Sequence, residues 1–314
     1  MIENLIGEKI EPIHHLERIL DSYQKVFFIF CDGGLSNRIN SLINGLVLCK
    51  LVDFSPLVVW PTNNRCDATY EQIFASDIGS INFPLLSFVA HSAQFQLWLH
   101  ENDIGFLGDL VVLRSLEPLH AQYLMRSAGG KPIIFSESLI LPWIPFDLVS
   151  AVVRQLRFNG SLLSKARQII DASGVCVDSE YFGVHLRGTD FPTQPPVDKM
   201  LAKVRSNFDK KFFVCSDERS IEQIFLPEPN VFIHDKLEYV TKIQNGPWRA
   251  EIMDSDGLPY TSNIYRSKCS VEDAVVDLLL LANSTLVSTS NSTFLGLSNL
   301  LKTSGWVMNQ FRSD

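Results

Sequence analysis

The chain has 314 residues, of which 46% are hydrophobic and 20% are charged. This length and composition are typical of a globular protein with one large or two smaller domains, and they exclude an intrinsically disordered chain. The formal net charge of −8 argues against broad nucleic-acid binding, although a few cations gathered in one cleft could still hold a small anion.

The first part of the chain is typical of a βαβ unit. The apolar run 26–31 predicts a buried strand, and a glycine-containing turn follows at 32–34. A helix packed by one face is predicted next, because apolar residues recur at helical spacing: Ile39, Leu42, Ile43, Leu46 and Val47. Residues 57–60 predict a second strand. From there to about residue 158 the pattern is less regular, and we expect loops and short helices around a pocket or domain seam.

The second part of the chain again alternates strands with helices. Strands are predicted at 181–186, 211–216, 231–233, 285–288 and 306–308. Helices are predicted at 164–171 and 293–301, and a third begins at a capping box formed by Ser270 and Asp273 and ends near residue 282. This alternation predicts an α/β fold with parallel sheets. We expect two α/β halves with a seam near residues 155–175.

Charged residues end the strand predicted at 181–186. Arg187, Thr189 and Asp190 follow it directly, and charges at the end of a buried strand cost free energy unless they are paired. Ligands of open α/β sheets bind just outside the carboxyl ends of the strands, where a fixed cation suits a phosphate or diphosphate. Two interpretations stay open: an anion site at Arg187, or a structural pair of Arg187 with Asp190.

Two further strand-to-helix turns carry residues suited to a ligand. In the turn 32–38, Gly33 and Gly34 would let the backbone approach a ligand at the positive end of a helix; alternatively, Ser36 or Asn37 simply caps that helix. The turn 288–294 has five hydroxyls and one amide in seven residues. It could cradle a diphosphate or be an ordinary polar cap.

Two acidic features complete the set of candidates. Asp217 follows the strand 211–216, where a carboxylate could hold a nucleoside or cap the helix that begins near Ser220. Asp254 and Asp256 have the DxD spacing with which metal-dependent sugar transferases hold a divalent ion. The glycine and proline that follow, and the lack of a preceding strand, favour a turn. No metal site is therefore predicted.

The sequence also predicts a cytoplasmic protein. Residues 1–25 are interrupted by charged residues rather than forming a secretory signal, and no apolar run approaches the ~20 residues of a membrane span. The six cysteines form no CxxC pair and the seven histidines no zinc motif. We expect the thiols to be reduced.

Together these segments resemble the fucosyltransferase superfamily, which spans protein O-fucosyltransferases, α1,2- and α1,6-fucosyltransferases and nodulation fucosyltransferases. The turn 33–38 is similar to the family's glycine–asparagine loop, and residues 185–190 resemble its HxRxxD-type motif. Residues 277–294 are similar to the family's C-terminal block, which consists of a leucine-rich helix, a strand and a serine-rich turn. Residues 212–217 are similar to the strand that precedes this block in the family. Gly188 departs from the pattern, since α1,6-enzymes often carry a second arginine there.

The resemblance implies a GT-B-like fold, in which two Rossmann-like domains face each other across a cleft. Residues 1–160 would be the acceptor side, and residues 161–314 would bind the nucleotide sugar. The implied reaction is an inverting transfer of fucose from GDP-fucose to a glycan or another hydroxyl acceptor. It needs neither a metal nor a cofactor, and the partners are the donor and the acceptor, not a nucleic acid or a membrane.

The resemblance also implies roles for single residues. Arg187 would contact the donor phosphates and stabilise the departing GDP, while His185 and Asp190 would shape that site. Asp217 would recognise the nucleoside. The remaining implied donor contacts are Gly34, Asn37 and Arg38 from the opposite domain, and Ser290, Ser292, Thr293 and Phe294 around the diphosphate and sugar. Asp32 and Glu71 are both candidates for the general base.

Two other functions stay open on the sequence. The three turns could belong to a nucleotide-sugar or glycan-binding protein in which no acceptor reacts. A metal-dependent transferase could instead use Asp254 and Asp256. A different Rossmann enzyme is disfavoured, because the sequence contains neither GxGxxG nor GxxxxGK[ST].

Overall fold

The computed structural model describes residues 25–81, 104–107, 110–113, 133–135, 137–175, 180–189, 196–253, 259–260, 262–287 and 292–307. The chain divides into two compact units: unit 1 is residues 1–33, 37–61 and 78–145, and unit 2 is residues 34–36, 62–77 and 146–314. Each unit contains a largely or wholly parallel sheet. Within the described residues, no helix is both long enough and apolar enough to cross a bilayer.

Unit 1 begins with the predicted βαβ unit. It consists of β1 (Val26–Phe30), α1 (Leu35–Val52) and β2 (Ser55–Val59). β1 and β2 are parallel neighbours. The predicted helix stripe is buried at Ile39, Leu42, Ile43 and Val47. The prediction that α1 packs by one face only is wrong, because polar residues on its other sides, such as Arg38 and Asn44, are buried as well.

The sheet of unit 1 extends beyond the predicted strands. Its order is β3-β2-β1-β6-β5-β4, and every neighbouring pair is parallel except β4 and β5. The added strands are β3 (Ser80–Ile81), β4 (Ile104–Leu107), β5 (Leu110–Leu113) and β6 (Ile133–Phe135). The expectation of loops and short helices is wrong for these residues, because strands of two to four residues are too short to show a periodic pattern.

The main sheet of unit 2 is parallel throughout, in the order β12-β7-β8-β9. Its strands are β7 (Phe182–Leu186), β8 (Phe212–Ser216), β9 (Val231–Phe232) and β12 (Thr285–Leu286). Its helices are α2 (Tyr70–Ile73), α3 (Phe146–Val153), α4 (Gly160–Ala172), α5 (Val197–Ser206), α6 (Arg219–Phe225), α7 (Lys268–Asn283) and α8 (Thr293–Thr303). A small antiparallel hairpin joins β10 (Ile252–Met253) to β11 (Pro259–Tyr260).

α7 is the central helix of unit 2. All its residues from Val275 to Asn283 are buried, as expected of a helix that is apolar on every side. It contacts α4, α8 and β7. The close approach to β7 needs a glycine, because a Cβ on Gly183 would overlap the side chains of Ser284 and Leu281.

Two local predictions in unit 2 are wrong. The N-cap of α7 is Ser267, whose Oγ accepts a hydrogen bond from the Ser270 N–H at 3.2 Å, so the helix begins one turn earlier than the predicted capping box. The strand predicted at 306–308 does not form at Trp306, because this residue is helical. Trp306 is buried, and its indole N–H donates a hydrogen bond to the Leu156 carbonyl at 2.7 Å. Residue 308 lies outside the described residues.

Candidate functional site

The carboxyl ends of β7 and β8 lie side by side, since Leu186 pairs with Ser216. The residues that follow them form a compact turn. Oδ1 of Asp217 accepts a hydrogen bond from the Gly188 N–H at 2.7 Å, and Oδ2 accepts one from the Thr189 hydroxyl. The carboxylate of Asp217 therefore fixes the backbone on which Arg187 stands.

Arg187 combines a fixed backbone with an accessible side chain. Its Nε lies 3.9 Å from Oδ2 of Asp217, and 23% of its side chain is exposed. Asp217 is thus a described acidic partner of this arginine, whereas Asp190, the partner considered on the sequence, lies outside the described residues. Asp217 is not the cap of the next helix, because the N-cap of α6 is Glu218. A guanidinium placed in this way can contact an anion.

Steric crowding explains why position 188 is a glycine. A Cβ at this position would overlap the side chains of Glu218 and Ile221. A second arginine, which α1,6-enzymes often carry at this point of the motif, would require both neighbours to move. The packing of this turn against α6 therefore favours glycine at position 188.

His185 and Phe294 form a second part of the site. The two rings stack with centroids 4.9 Å apart and planes inclined by 28°. Burial lowers the pKa of His185 to about 4, against the opposing pull of Asp217 and Asp277, so the imidazole is neutral at neutral pH. The ring therefore offers a neutral hydrogen-bonding group and an aromatic face beside the Arg187 turn.

Phe294 lies in the first turn of α8, next to Thr293, the first helical residue. The N-cap is Ser292, whose Oγ accepts a hydrogen bond from the Phe294 N–H at 3.2 Å. The stacking on His185 brings this helix N-terminus to the strand that carries Arg187. Both the helix end and the guanidinium favour a negative charge.

Some predicted positions lie outside the described residues: Asp190, Ser290, Asp254 and Asp256. Within the described part of the chain, no group of three or more His, Cys, Asp or Glu side chains is arranged to hold a metal ion. The five described cysteines, Cys31, Cys49, Cys66, Cys215 and Cys269, are free thiols.

The turn after β1 holds the remaining predicted positions. Arg38 has 0% of its surface exposed; its Nε donates to the Gly33 carbonyl at 2.7 Å and its Nη1 to the Pro61 carbonyl at 2.5 Å. The guanidinium also lies 5.3 Å from the Trp60 ring centroid and 3.8 Å from Asp32. Arg38 thus holds this turn from the inside.

The glycines of this turn differ from each other. Gly33 has a φ of +83°, and a Cβ there would come within 3.1 Å of the Asn37 amide, so the turn requires glycine. A Cβ on Gly34 would meet nothing within 4 Å. Open space at Gly34 is compatible with the approach of a ligand to this part of the backbone.

Sequence reasoning missed a buried charged cluster behind the Arg187 turn. Lys236 Nζ lies 2.8 Å from Oδ2 of Asp277 and also contacts Glu222. His234 lies between two carboxylates, with Nδ1 3.0 Å from Asp277 and Nε2 3.3 Å from Asp273. The signal was present: Asp273 and Asp277 are one helical turn apart in a helix that is otherwise apolar from Ala274 to Ala282.

The carboxylates of the cluster determine its protonation. Burial alone would lower the pKa of Lys236, but Asp277 and Glu222 outweigh it and raise that pKa above its usual value. Burial alone would likewise lower the pKa of His234, but the adjacent carboxylates of Asp273 and Asp277 outweigh it and raise that pKa. Bonds from His234 and Lys165 lower the pKa of Asp273 to about 2, although burial raises it. His234 and Lys236 are therefore held more strongly in their protonated forms, whereas burial raises the pKa of Glu222 against the opposing effect of Lys236.

No protein-family model and no curated protein sequence matches this chain. Solved structures do match. NodZ α-1,6-fucosyltransferase co-crystallised with GDP aligns with a TM-score of 0.50 and 13% identity, over 88% of this chain and 92% of that one. Fucosyltransferase NodZ from Bradyrhizobium aligns with a TM-score of 0.51 and 13% identity, over 88% of this chain and 93% of that one. A mutant of Arabidopsis thaliana FUT1 in complex with GDP aligns with a TM-score of 0.53 and 13% identity, over 89% of this chain and 68% of that one.

The matches therefore span most of the chain at low sequence identity. They show that this chain has the α/β fold, with parallel sheets, of these fucosyltransferases. The resemblance inferred from the sequence motifs is confirmed at the level of the fold.

Proposed function

We propose that this chain, which shares the fold of known fucosyltransferases, transfers fucose from GDP-fucose to a hydroxyl group of a glycan or another acceptor. The observation that carries the proposal is Arg187, accessible at the carboxyl end of β7 on a turn that Asp217 holds. It lies at the carboxyl ends of the strands of a parallel sheet, where ligands of α/β proteins bind. Two of the matched structures, NodZ and FUT1, contain GDP.

The chemistry explains why a fixed guanidinium is useful. As the bond between the sugar and the diphosphate breaks, negative charge develops on the leaving phosphate. A preorganised cation near that oxygen stabilises the transition state more than the ground state. Asp217 supplies the preorganisation by holding the main chain at Gly188 and the side chain at Thr189.

The remaining donor contacts belong to the same proposal. The N-terminus of α8 at Ser292 and Thr293 would face the diphosphate, and the stacked rings of His185 and Phe294 would flank the donor. Because both oxygens of Asp217 already accept hydrogen bonds from the turn, we assign Asp217 to holding Arg187 rather than to the nucleoside. Asp190 and Ser290 keep the roles that the resemblance implies.

The two units would divide the substrates between them. We propose that the chain is a GT-B-type inverting, metal-independent enzyme, with the donor side in residues 161–314 and the acceptor side in residues 1–160. The two compact units follow this division except at residues 34–36, 62–77 and 146–160, which belong to unit 2. A parallel sheet in each unit supports this division. Gly34 and Asn37 would contact the donor, whereas the buried Arg38 would act by holding their turn.

The general base has two candidates. Asp32 has 9% of its side chain exposed and lies 3.8 Å from the buried guanidinium of Arg38. Glu71 is exposed in the first turn of α2. Loss of the base removes the limb of the pH–rate profile that reports its ionisation, so profiles of Asp32→Asn and Glu71→Gln distinguish the two.

The test begins with calorimetric titration of the purified chain with GDP, UDP, ADP and inorganic phosphate, followed by transfer assays with GDP-fucose and a panel of glycan acceptors. We expect preference for GDP and transfer of fucose. Arg187→Met should abolish both, while Arg205→Met, which removes an exposed arginine of the same unit, should preserve them. Failure to bind any nucleoside diphosphate contradicts the proposal, and binding of GDP without transfer or donor hydrolysis favours a non-catalytic binding protein.

A further inference from the structure

We propose that Glu222 and Lys236 are positioning residues for the transfer reaction. Together they hold the last residue of β8, so that the Asp217 carboxylate keeps the Arg187 turn in register. This inference rests on the proposed function, because it assigns Glu222 and Lys236 a role that is exerted through Asp217 and Arg187.

Within the part of the chain that the structure describes, the end of β8 has no neighbouring strand on one edge. β9 pairs only with Phe212 and Phe213. The N–H and C=O groups of successive strand residues point to alternate edges, and Phe212 donates to the Asn230 carbonyl on the β9 side. Ser216, four residues later, presents its backbone groups to that same edge, beyond the end of β9.

Two side chains replace the missing strand. The Ser216 N–H donates to Oε1 of Glu222 at 2.7 Å, and the Ser216 carbonyl accepts from Nζ of Lys236 at 2.6 Å. Buried backbone groups need such partners. The oppositely charged pair thus satisfies both polar groups of one residue, in the way that a strand would.

A short path leads from Ser216 to the guanidinium. On its other edge Ser216 pairs with Leu186, the residue before Arg187. On the C-terminal side it is followed by Asp217, whose oxygens hold Gly188 and Thr189. A displacement of Ser216 would therefore change the hydrogen bonds of Asp217 and the placement of Arg187 together.

The pair is rigidly held and almost inaccessible. The side chains of Lys236 and Glu222 are 4% and 3% exposed. Lys236 also contacts Asp277 on α7, and Glu222 accepts a hydrogen bond from the Tyr239 hydroxyl. Buried ion pairs add little net stability because desolvation offsets their attraction. The contribution of Glu222 and Lys236 is therefore better explained by the position in which they hold the main chain of Ser216.

The test is a double-mutant cycle. Lys236→Met and Glu222→Met, which remove the two side-chain partners of the Ser216 main chain, are each made in the parent and in an Asp217→Ala background, and kcat, KM for GDP-fucose and GDP affinity are measured. In the parent, we expect kcat/KM to fall about 10- to 100-fold, because misplacement of a catalytic group is costly. In the Asp217→Ala background the further loss should stay below about 3-fold, since coupled residues are not additive.

A matched control distinguishes positioning from general destabilisation. Arg205→Met breaks an exposed pair with Glu228 in the same unit, where Nη2 of Arg205 lies 2.8 Å from the carboxylate and its side chain is 61% exposed. We expect its kcat/KM within about 2-fold of the parent, as for a typical surface pair. Circular dichroism and thermal unfolding establish the folded fraction of every variant.

Several results would overturn the inference. One is an equal loss of kcat/KM in both backgrounds, and another is a folded variant with parental kinetics. If Lys236→Met does not fold, Glu222→Met decides the question, since it keeps approximately the side-chain volume and removes the acceptor of the Ser216 N–H. If neither folds, the pair is structural and the positioning role is wrong. A parent that binds no GDP contradicts the proposed function itself, which separates the two failures.

Discussion

The turn that follows β1 and the turn that follows β7 look alike in sequence and differ in structure. Each begins at the end of a buried apolar strand and contains an arginine, Arg38 in the first and Arg187 in the second. Arg38 is completely buried, and its guanidinium donates to the carbonyls of Gly33 and Pro61. Arg187 is partly exposed and lies beside a carboxylate that is itself held by the turn.

The difference teaches that an arginine at a strand end has two possible uses. When its N–H groups are bonded to main-chain carbonyls, it fixes the loop and cannot reach a ligand. When a neighbouring carboxylate fixes the loop instead, the arginine keeps an exposed side chain for an anion. Asp217 is therefore what distinguishes the second turn from the first.

The largest effect is expected from removing the buried arginine. Arg38→Met leaves Asp32 and the carbonyls of Gly33 and Pro61 without this donor in a buried site. We expect the free energy of unfolding to fall by about 3–5 kcal/mol, measured by urea denaturation. Arg187→Met should change it by less than about 1 kcal/mol. Equal stability losses in the two variants would contradict the comparison.

The second effect concerns catalysis rather than stability. Arg187→Lys keeps the positive charge but loses the planar, multidentate guanidinium. We expect kcat to fall about 10²–10³-fold, as for loss of one preorganised transition-state contact, with an unchanged unfolding curve. Steady-state transfer assays with GDP-fucose measure this. A lysine variant with near-parental turnover would show that Arg187 does not have the proposed role.

A third experiment tests how tightly each turn is packed, by adding one methyl group to each. Gly188→Ala places a Cβ against Glu218 and Ile221, and we expect a loss of about 1–3 kcal/mol in stability together with weaker GDP binding. Gly34→Ala, the matched control, places its Cβ in open space, and its stability should stay within about 0.5 kcal/mol of the parent. Urea denaturation and calorimetry check both, and a stable Gly188→Ala would show that the second turn can shift.

The smallest effect is a pH dependence of the support behind the second turn. The pKa of His234 is raised above its ordinary 6.5 because Asp273 and Asp277 outweigh the effect of burial. The folded protein therefore holds this proton more tightly than the unfolded chain does, and the stabilisation is complete below pH 6.5 and lost as pH rises through the raised pKa.

His234→Gln provides the measurement. The difference in unfolding free energy between parent and variant should be largest below pH 6.5 and shrink as pH rises above it. His185, whose pKa is lowered, contributes equally to both proteins and cancels from that difference. A difference that is constant or grows with pH would show that His234 is not held as an imidazolium.

Much of the fold followed from local sequence patterns. The strands β1, β7 and β8 and the helix α1 lie where apolar runs and helical spacing predicted them. The short strands β3 to β6 of unit 1 could not be predicted in this way, because two to four residues are too few to show a periodic pattern of apolar residues. The capping box at Ser270 matched a motif that occurs inside a helix, where Asp273 contacts His234 and Lys165 instead.

The sequence by itself determined that Arg187 ends a buried strand, that the chain alternates strands and helices, and that its motifs resemble those of fucosyltransferases. Only the tertiary structure decided which arginine is buried, that Asp217 holds the Arg187 turn, and that five charged side chains gather behind it. The physical reason is range. Apolar spacing is a local property of the chain, whereas Gly188 and Asp217 are 29 residues apart and His234 and Asp277 are 43 apart, so their pairing depends on how the strands and helices pack.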